Sequence, residues 1–578
     1  MSALTKTVPE SEAHRIARLM RSPADIMKPE RLAAIQPSRI SASRALMSRA
    51  VRQRWQILCK RFDIDAKGNG VAEYRIDIGG WRFSFPVYSF EPSPHGRTGR
   101  IIGRAWDMMG ALVEGDMNRR DFETTRTELP KLYEGRATPG TLIWCRSNRS
   151  GRFFEGAKAA LQAGGQPDVA ELAHTCYLMR NTGLDGNGTF GTKSFLAYEG
   201  DHPLRWSLAA QMLCAYMMRV FAQDLLAHLV RLEAPAAPQM AIELRRFLGV
   251  GNGSALGLML FVNNHPRLIE RWLFIREEAI ARAKGLTPDE NGSEIAKLLS
   301  LVDKAITFRS EDRVQYENVT RSDVVARELG IIRSAVAKLL DRWRSGSRFE
   351  SEPFAELTAS LECRVHAEAM ETLHSLLIEL VAEEADQLVE GLVIDEELTG
   401  RPEMPVARLR EILRNDYAWA FGLDLDIGSE KRYVWYKSVS AEEPRRGPVA
   451  EVGENVVNLG LDLPRLVVSL DRDLAAADPT LSTARFLLAR PEHRAIATRV
   501  QALAGTGLHS PHADIMSEHF TPAHITRLLN VGIHGIDKTR DFLDRNLRGV
   551  LFHGAPVPED IAAGSADDLW FYPSEPSL

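Results

Sequence analysis

The sequence predicts a mainly α protein with a small α+β N-terminal portion, a large helical core and a mixed C-terminal part. Three observations carry this expectation. VAEYRIDI (71–78), WRFSFPVYSF (81–90) and TLIWCRS (141–147) are rich in β-branched and aromatic residues and partly alternate, as strands do. After Asp201-His202-Pro203, the stretch LRWSLAAQMLCAYMMRVFAQDLLAHLVRL is apolar nearly all round, as a central helix is. Leu357, Leu361, Val365, Leu373, Leu377, Leu380 and Leu388 then mark a second long amphipathic helix. At 578 residues, 44% apolar and 26% charged, the chain has material for several domains. The expected division is a basic helical arm (1–62), an α+β portion (63–153), a helical core with two glycine-rich loops (154–395) and a mixed portion (396–578).

Residues 1–60 hold twelve Lys or Arg against four Asp or Glu. Met47, Val51, Trp55, Leu58 and Phe62 recur at helical spacing among Arg44, Arg49, Arg52, Arg54, Lys60 and Arg61, which predicts a basic amphipathic helix. Such a helix can serve RNA or anionic lipid, or it can cover an acidic face of its own chain. The second reading is favoured, because Val365 to Gly400 contains ten acidic residues and no basic one. Further along, Gly79-Gly80 predicts a hairpin turn, and RIIGRAWDMMGALVEG (100–115) reads as a helix. AELAHTCYLM (170–179) and MAIELRRFL (240–248) also read as helices, and RYVWYKSV (432–439) is the best late strand.

The net charge of −5 gives no bulk electrostatic case for nucleic acid. The N-terminus lacks a secretory pattern. The longest charge-free apolar stretches, 206–218 and 250–264, fall short of the ~18–20 residues of a membrane span. Five scattered cysteines suggest no disulfide framework. The expectation is a soluble cytoplasmic protein with no membrane partner.

The most informative stretch is RNTGLDGNGTFGTK (180–193). It lacks the strand-to-helix context of a dinucleotide loop, yet its glycines allow backbone N–H groups to converge on an anion. Arg180, Asn181, Thr182, Asn187 and Lys193 are its ligand-binding candidates. A second element, FLGVGNGSALGLMLFVNNHP (247–266), adds Asn252 and a helix start capped by Ser254, where first-turn N–H groups favour negative charge. Here Gly249 reads as a helix stop and Gly251-Asn252-Gly253 as a turn. Either element could equally be a close-packed corner. Glu442-Glu443 with Arg445 and Arg446 offers a third group, able to clamp a carboxylate or phosphate. His265 and Asp185 are the proton-transfer candidates by residue type.

Two further patterns carry alternatives. His509, His512, His519, His524 and His534 cluster near Asp514, but no spacing matches a zinc-protease helix, and no metal is assigned. SDVVARELGIIRSAVAKLLDRW (322–343) places Ala326, Gly330, Val336 and Leu339 at telling offsets. It resembles the helix-turn-helix of bacterial regulators over about 22 residues, and that resemblance would put Arg333, Ser334, Ala337 and Lys338 in the groove. The expected function is an enzyme acting on a small anionic, phosphate- or carboxylate-bearing metabolite, with the reaction unassigned. A homo-oligomeric scaffold and a DNA-binding regulator are the alternatives. No signature of nicotinamide, flavin or pyridoxal phosphate stands out, so the cofactor is unknown.

Overall fold

A computed structural model describes residues 11–35, 38–90, 107–132, 140–181, 198, 200–206, 208–252, 266–311, 320–347, 349, 352–392, 400–423, 425, 434–438, 445–447, 454–457, 459–505, 508, 549–565 and 573–578. Its frame is a mixed sheet. The strands in chain order are β1 (Gln56–Ile64), β2 (Gly70–Ile78), β3 (Trp81–Ser89), β4 (Met108–Glu114), β5 (Thr141–Arg149), β6 (Tyr177–Asn181), β7 (Gly249–Asn252), β8 (Val434–Ser438), β9 (Arg445–Gly447), β10 (Glu454–Val457) and β11 (Gly549–Leu551). Eight of them form one sheet in the order β1-β2-β3-β4-β5-β6-β7-β11, and β10-β8-β9 form another. β1 to β6 run antiparallel to their neighbours, β6 and β7 are parallel, and β11 returns antiparallel to β7.

This overturns the expected mainly α fold with a small α+β portion. The sheet is substantial, and it gathers strands from residue 56 to residue 551. β4 shows why it was misjudged. Met108 and Leu112 belong to the main core, while Met109 and Ala111 are buried in a smaller cluster with Tyr88 and Phe122. A strand covered on both faces loses its alternation and reads as an apolar run. The Gly79-Gly80 turn does form, with both glycines at positive φ (54° and 93°) between β2 and β3.

The N-terminal helices are α1 (Glu12–Leu19), α2 (Pro23–Ile26), α3 (Pro29–Ala34) and α4 (Ala42–Arg52). The basic amphipathic helix is shorter than expected. Arg54 sits in the left-handed region (φ 52°), and the chain turns into β1, so Leu58 and Phe62 lie on a strand. The arm's arginines meet acidic side chains of the same chain: Arg39 pairs with Asp386, Arg44 with Glu379, and Arg52 with Glu390.

After α5 (Arg119–Leu132), α6 (Gly151–Gln162) and α7 (Val169–Thr175) comes the central helix α8 (Ala209–Glu233), buried without a break from Ala209 to Gln223. It starts later than expected, because Leu208 adopts a left-handed conformation (φ 67°). α8 crosses the sheet strand by strand. Cys214 hydrogen-bonds Cys145 on β5, Met218 abuts Gly110 on β4, and Asp224 accepts from Tyr74 on β2 at 2.8 Å. His228 meets the Ile64 carbonyl of β1 at 2.7 Å. α8 also touches β6 and β7, with Arg219 on the Leu248 carbonyl just before β7. By length and apolarity α8 could cross a membrane, but 83% of the relevant window is buried inside the protein.

α9 (Ile242–Phe247) leads into β7. A second core is built from α10 (Pro266–Lys284), α11 (Ser293–Glu311), α12 (Ser322–Arg344), α13 (Pro353–Leu361) and α14 (Ala367–Ile378), around Leu298, Val302, Leu329, Val336, Phe354 and Leu373. The long helix expected over 357–388 is broken: α13 ends at Leu361, and a 3₁₀ turn (Glu379–Val381) separates α14 from α15 (Ala382–Glu390). The helix-turn-helix is not formed either. Residues 322–344 are the single helix α12, with Gly330 in its interior and no turn. The C-terminal part adds α16 (Val406–Asp416), α17 (Leu459–Ala475), α18 (Thr483–Ala489), α19 (Arg494–Leu503) and α20 (Pro558–Ala563).

Candidate functional site

The two glycine-rich segments follow strands, not helices. α7 stops at Thr175 because Cys176 takes a left-handed conformation (φ 61°), and β6 starts at the next residue. Gly249 and Gly251 likewise belong to β7 rather than to a helix stop and a turn. Their lack of a side chain is a packing requirement. A Cβ at 249 would lie 2.3 Å from the Leu551 carbonyl oxygen, and one at 251 would lie 2.9 Å from the Tyr177 ring.

The register brings the ends together. Arg180 of β6 is opposite Gly251 of β7, and Asn181 is opposite Asn252. Asn252 is in turn opposite Gly549 of β11. The chain leaves the sheet at Asn181 and Asn252 and re-enters it at Gly549, three residues in one row. Both glycine-rich segments and the histidine-rich segment thus attach to one end of three adjacent strands. The carboxyl ends of neighbouring parallel strands are where open sheets receive ligands.

Around this end the sheet carries polar residues that are buried. Arg180 is 2% exposed and stands opposite Asn148 of β5. The Asp107 N–H donates to Asn148 Oδ1 at 3.0 Å, and the Arg149 N–H donates to Asp107 Oδ2 at 3.0 Å. Sequence reasoning missed Asp107, Asn148 and Arg149. The signal was the continuation of TLIWCRS into Asn-Arg, which extends the strand by two polar residues. Arg149 serves the frame: it donates to the Gly68 carbonyl at 3.3 Å and lies over the Phe154 ring.

The other face is covered by the start of α8. Leu208 supplies no side-chain cap, and Ala209, Ala210 and Gln211 are buried. Trp206 Nε1, Gln211 Oε1 and Ser147 Oγ are buried with no hydrogen-bond partner among the described residues. Trp206 and Gln211 flank the first turn of α8. Ser147 lies two residues past Cys145 on the same face of β5, next to the strand that ends at Asn181. Helix N–H groups, an indole N–H and a hydroxyl all donate, and an uncapped helix start adds positive potential. The donors among these groups suit an anionic acceptor, whereas Gln211 Oε1 accepts and needs a donor of its own.

β7 is held in place from behind by Arg219. Its guanidinium donates to the carbonyls of Leu248 (2.7 Å), Pro556 (2.8 Å), Arg245 (2.8 Å), Arg246 (3.0 Å) and Ala555 (2.8 Å). Burial, more than any neighbouring charge, pushes Arg219 down to about 10.

The remaining candidates divide as follows. Thr182, Asp185, Asn187, Lys193, Ser254 and His265 lie outside the described residues, as do His509, His512, Asp514, His519, His524 and His534. Arg445 and Arg446 belong to β9 and pair with Tyr436 and Trp435 in the separate three-stranded sheet, not in the sheet of β6 and β7. Asp473, Glu492 and His493 place three ligand-type atoms within 4.8 Å of one another. However, the Asp473 carboxylate already meets His493 (2.9 Å), Arg472 (3.2 Å) and Arg490 (3.6 Å), an ion-pair cluster rather than a metal cage. Comparison with protein-family models, curated proteins and solved structures finds no match.

Proposed function

We propose that the chain is an enzyme acting on a small anionic metabolite bearing phosphate or carboxylate, bound at the carboxyl ends of β6 and β7. The observation that supports this is the pairing of Asn181 with Asn252, which brings both glycine-rich segments to one end of two parallel strands, with buried Arg180 one residue before that end. Arg180 supplies positive charge at that end. Proton transfer is assigned to His265 or Asp185, each in a segment joined directly to one of the two strand ends. The scaffold and regulator readings lose their sequence arguments. The basic arm and the acidic helices pair within one chain, and Gly330 lies inside a continuous helix.

The test is a thermal-shift titration with inorganic phosphate, pyrophosphate and a set of di- and tricarboxylates at fixed ionic strength, on the wild type and on Arg180→Met. Specific binding raises the melting temperature by mass action. Losing a buried charge-assisted contact costs about 2–5 kcal/mol, roughly thirtyfold or more in affinity. If no anion stabilises the wild type more than Arg180→Met, the site is misplaced.

A further inference from the structure

Residues 11–22 are attached by charge rather than by apolar burial. α1 has no buried residue. Arg15 donates to the Gly285 carbonyl at 3.2 Å, and Arg18 pairs with Glu352 at 2.5 Å. The strong attachment is Arg21. It forks onto Glu277 at 2.7 and 2.6 Å and reaches Glu371 at 2.5 Å. Those two carboxylates are wholly buried, as are Arg276 and His374 beside them. The segment becomes fixed only further on, where Ile26 and Leu32 enter the main core.

Withdrawal of Arg21 would leave neither carboxylate alone. Glu277 keeps Arg276 at 3.2 Å, and Glu371 keeps Arg276 at 2.8 Å and Arg31 at 3.2 Å. A buried ion pair is costly to break chiefly because a lone charge is left behind, and here each carboxylate retains the Arg276 guanidinium. Lys284, at the end of α10, is 8% exposed and makes no ion pair among the described residues. The next residue, Gly285, takes Arg15 of the segment on its carbonyl, and the amine feels the charges of Arg21, Arg31 of α3, Glu277 of α10 and Glu371 of α14, with His374 of α14 near it.

We propose that residues 11–22 form a releasable strap, locked by Arg21 onto the buried carboxylates of Glu277 and Glu371, and that a proton on Lys284 opposes the lock. Burial first, and then the like charge of Arg21, hold the Lys284 amine down to about 8. Opening removes Arg21 and admits water, so the amine returns toward its ordinary value of about 10.4. The closed form thus binds the proton more weakly, and closing releases it. Below about pH 8 both forms are protonated and closure is weakest. From there upward, closure strengthens by up to about tenfold per pH unit. Burial and Arg21 keep His374 neutral, well below its usual range, so it does not titrate in this window. The lock sits on α10, which begins at Pro266 directly after the second glycine-rich segment.

The test is amide hydrogen exchange of the full chain between pH 7.5 and 9.5, corrected for intrinsic exchange, on peptides covering 11–22. Wild-type protection should rise several-fold per pH unit. Lys284→Met should be protected at pH 7.5 and nearly flat with pH, and Lys284→Gln should behave alike if methionine disturbs packing. Arg21→Met should lose protection in 11–22 at every pH while α11 and α12 keep theirs. Protection that is flat in the wild type, or unchanged by Lys284→Met, overturns the proton linkage. Protection of 11–22 equal to that of α11 in all variants overturns the strap.

Discussion

Replacing Arg219 by Met should destabilise the protein by about 3–5 kcal/mol, because it leaves several buried carbonyl oxygens without their donor, at about 1–3 kcal/mol each before the relief of charge burial is set against them. The side chain is 1% exposed and donates to five carbonyl oxygens, of which Pro556 also accepts from Tyr216 and Arg245 from Gln223. Bonds from a charged donor contribute roughly 1.5–3 kcal/mol each, which would suggest a much larger total. The total is reduced because burying the charge is itself unfavourable. A fall to about 10 from 12.5 corresponds to roughly 3 kcal/mol by which the site disfavours the charged form relative to water, though the group stays charged at neutral pH. Methionine fills the space but satisfies none of the carbonyls, and they join the end of α9, the start of β7 and the 555–556 turn. Urea unfolding followed by tryptophan fluorescence and by far-UV circular dichroism measures the loss. Proteolysis should find 549–565 cut first. A loss below about 1 kcal/mol would mean that water replaces the guanidinium, and that β7 is not held by it.

Three other outcomes follow from single features. Gly330→Ala should raise stability by about 0.5–1 kcal/mol in a urea melt, because the position is mid-helix and an added Cβ meets nothing within 4 Å; a loss would mean that residue 330 needs a glycine conformation. Gly251→Ala should cost about 1–3 kcal/mol by driving into the Tyr177 ring, and should weaken any anion binding at the neighbouring strand ends. For acid stability, burial alone would raise Glu371 and Glu379, but Arg21 and Arg276 outweigh it at the first and Arg44 and Arg39 at the second, so both end below the usual carboxylate range. Their contribution is full above about pH 4.5 and is lost as pH falls through the lower folded values. Wild-type urea midpoints should therefore drop below that pH, and those of Arg44→Met should drop less.

β2, with its near-alternating burial, was legible in the sequence, and β3 and β5, though buried along most of their length, were marked by the β-branched and aromatic residues of WRFSFPVYSF and TLIWCRS. β4, covered on both faces, was not. β6 was hidden because AELAHTCYLM has no break by composition, and only the left-handed Cys176 divides it. β7 was hidden because Gly-Val-Gly-Asn looks like a turn; its glycines answer to Leu551 and Tyr177, residues far away in sequence. The same holds for the site. Arg180 was recognisable as a charge beside glycines, but its neighbours Asn148 and Asp107 come from other strands, and pairing across a sheet leaves no local mark. The arm's basic charge did point to acidic residues of the same chain, because an imbalance of charge is visible without knowing any contact.

The late position of β11 sets the order in which the molecule can be completed. β7 is paired on one side by β6 and on the other only by residues 549–551, and Arg246 waits 314 residues for Asp560. Arg21 waits 350 residues for Glu371. At about 5–20 residues per second of synthesis, the far edge of β7 stays open for roughly 15–60 s after it is made. An open edge with unpaired N–H and C=O groups recruits other strands, so a nascent or truncated chain ending before residue 549 carries its aggregation hazard at the strand that borders the proposed site. Contacts this distant in sequence also slow the final step of folding, and they tie completion of the ligand end to the last thirty residues of the chain.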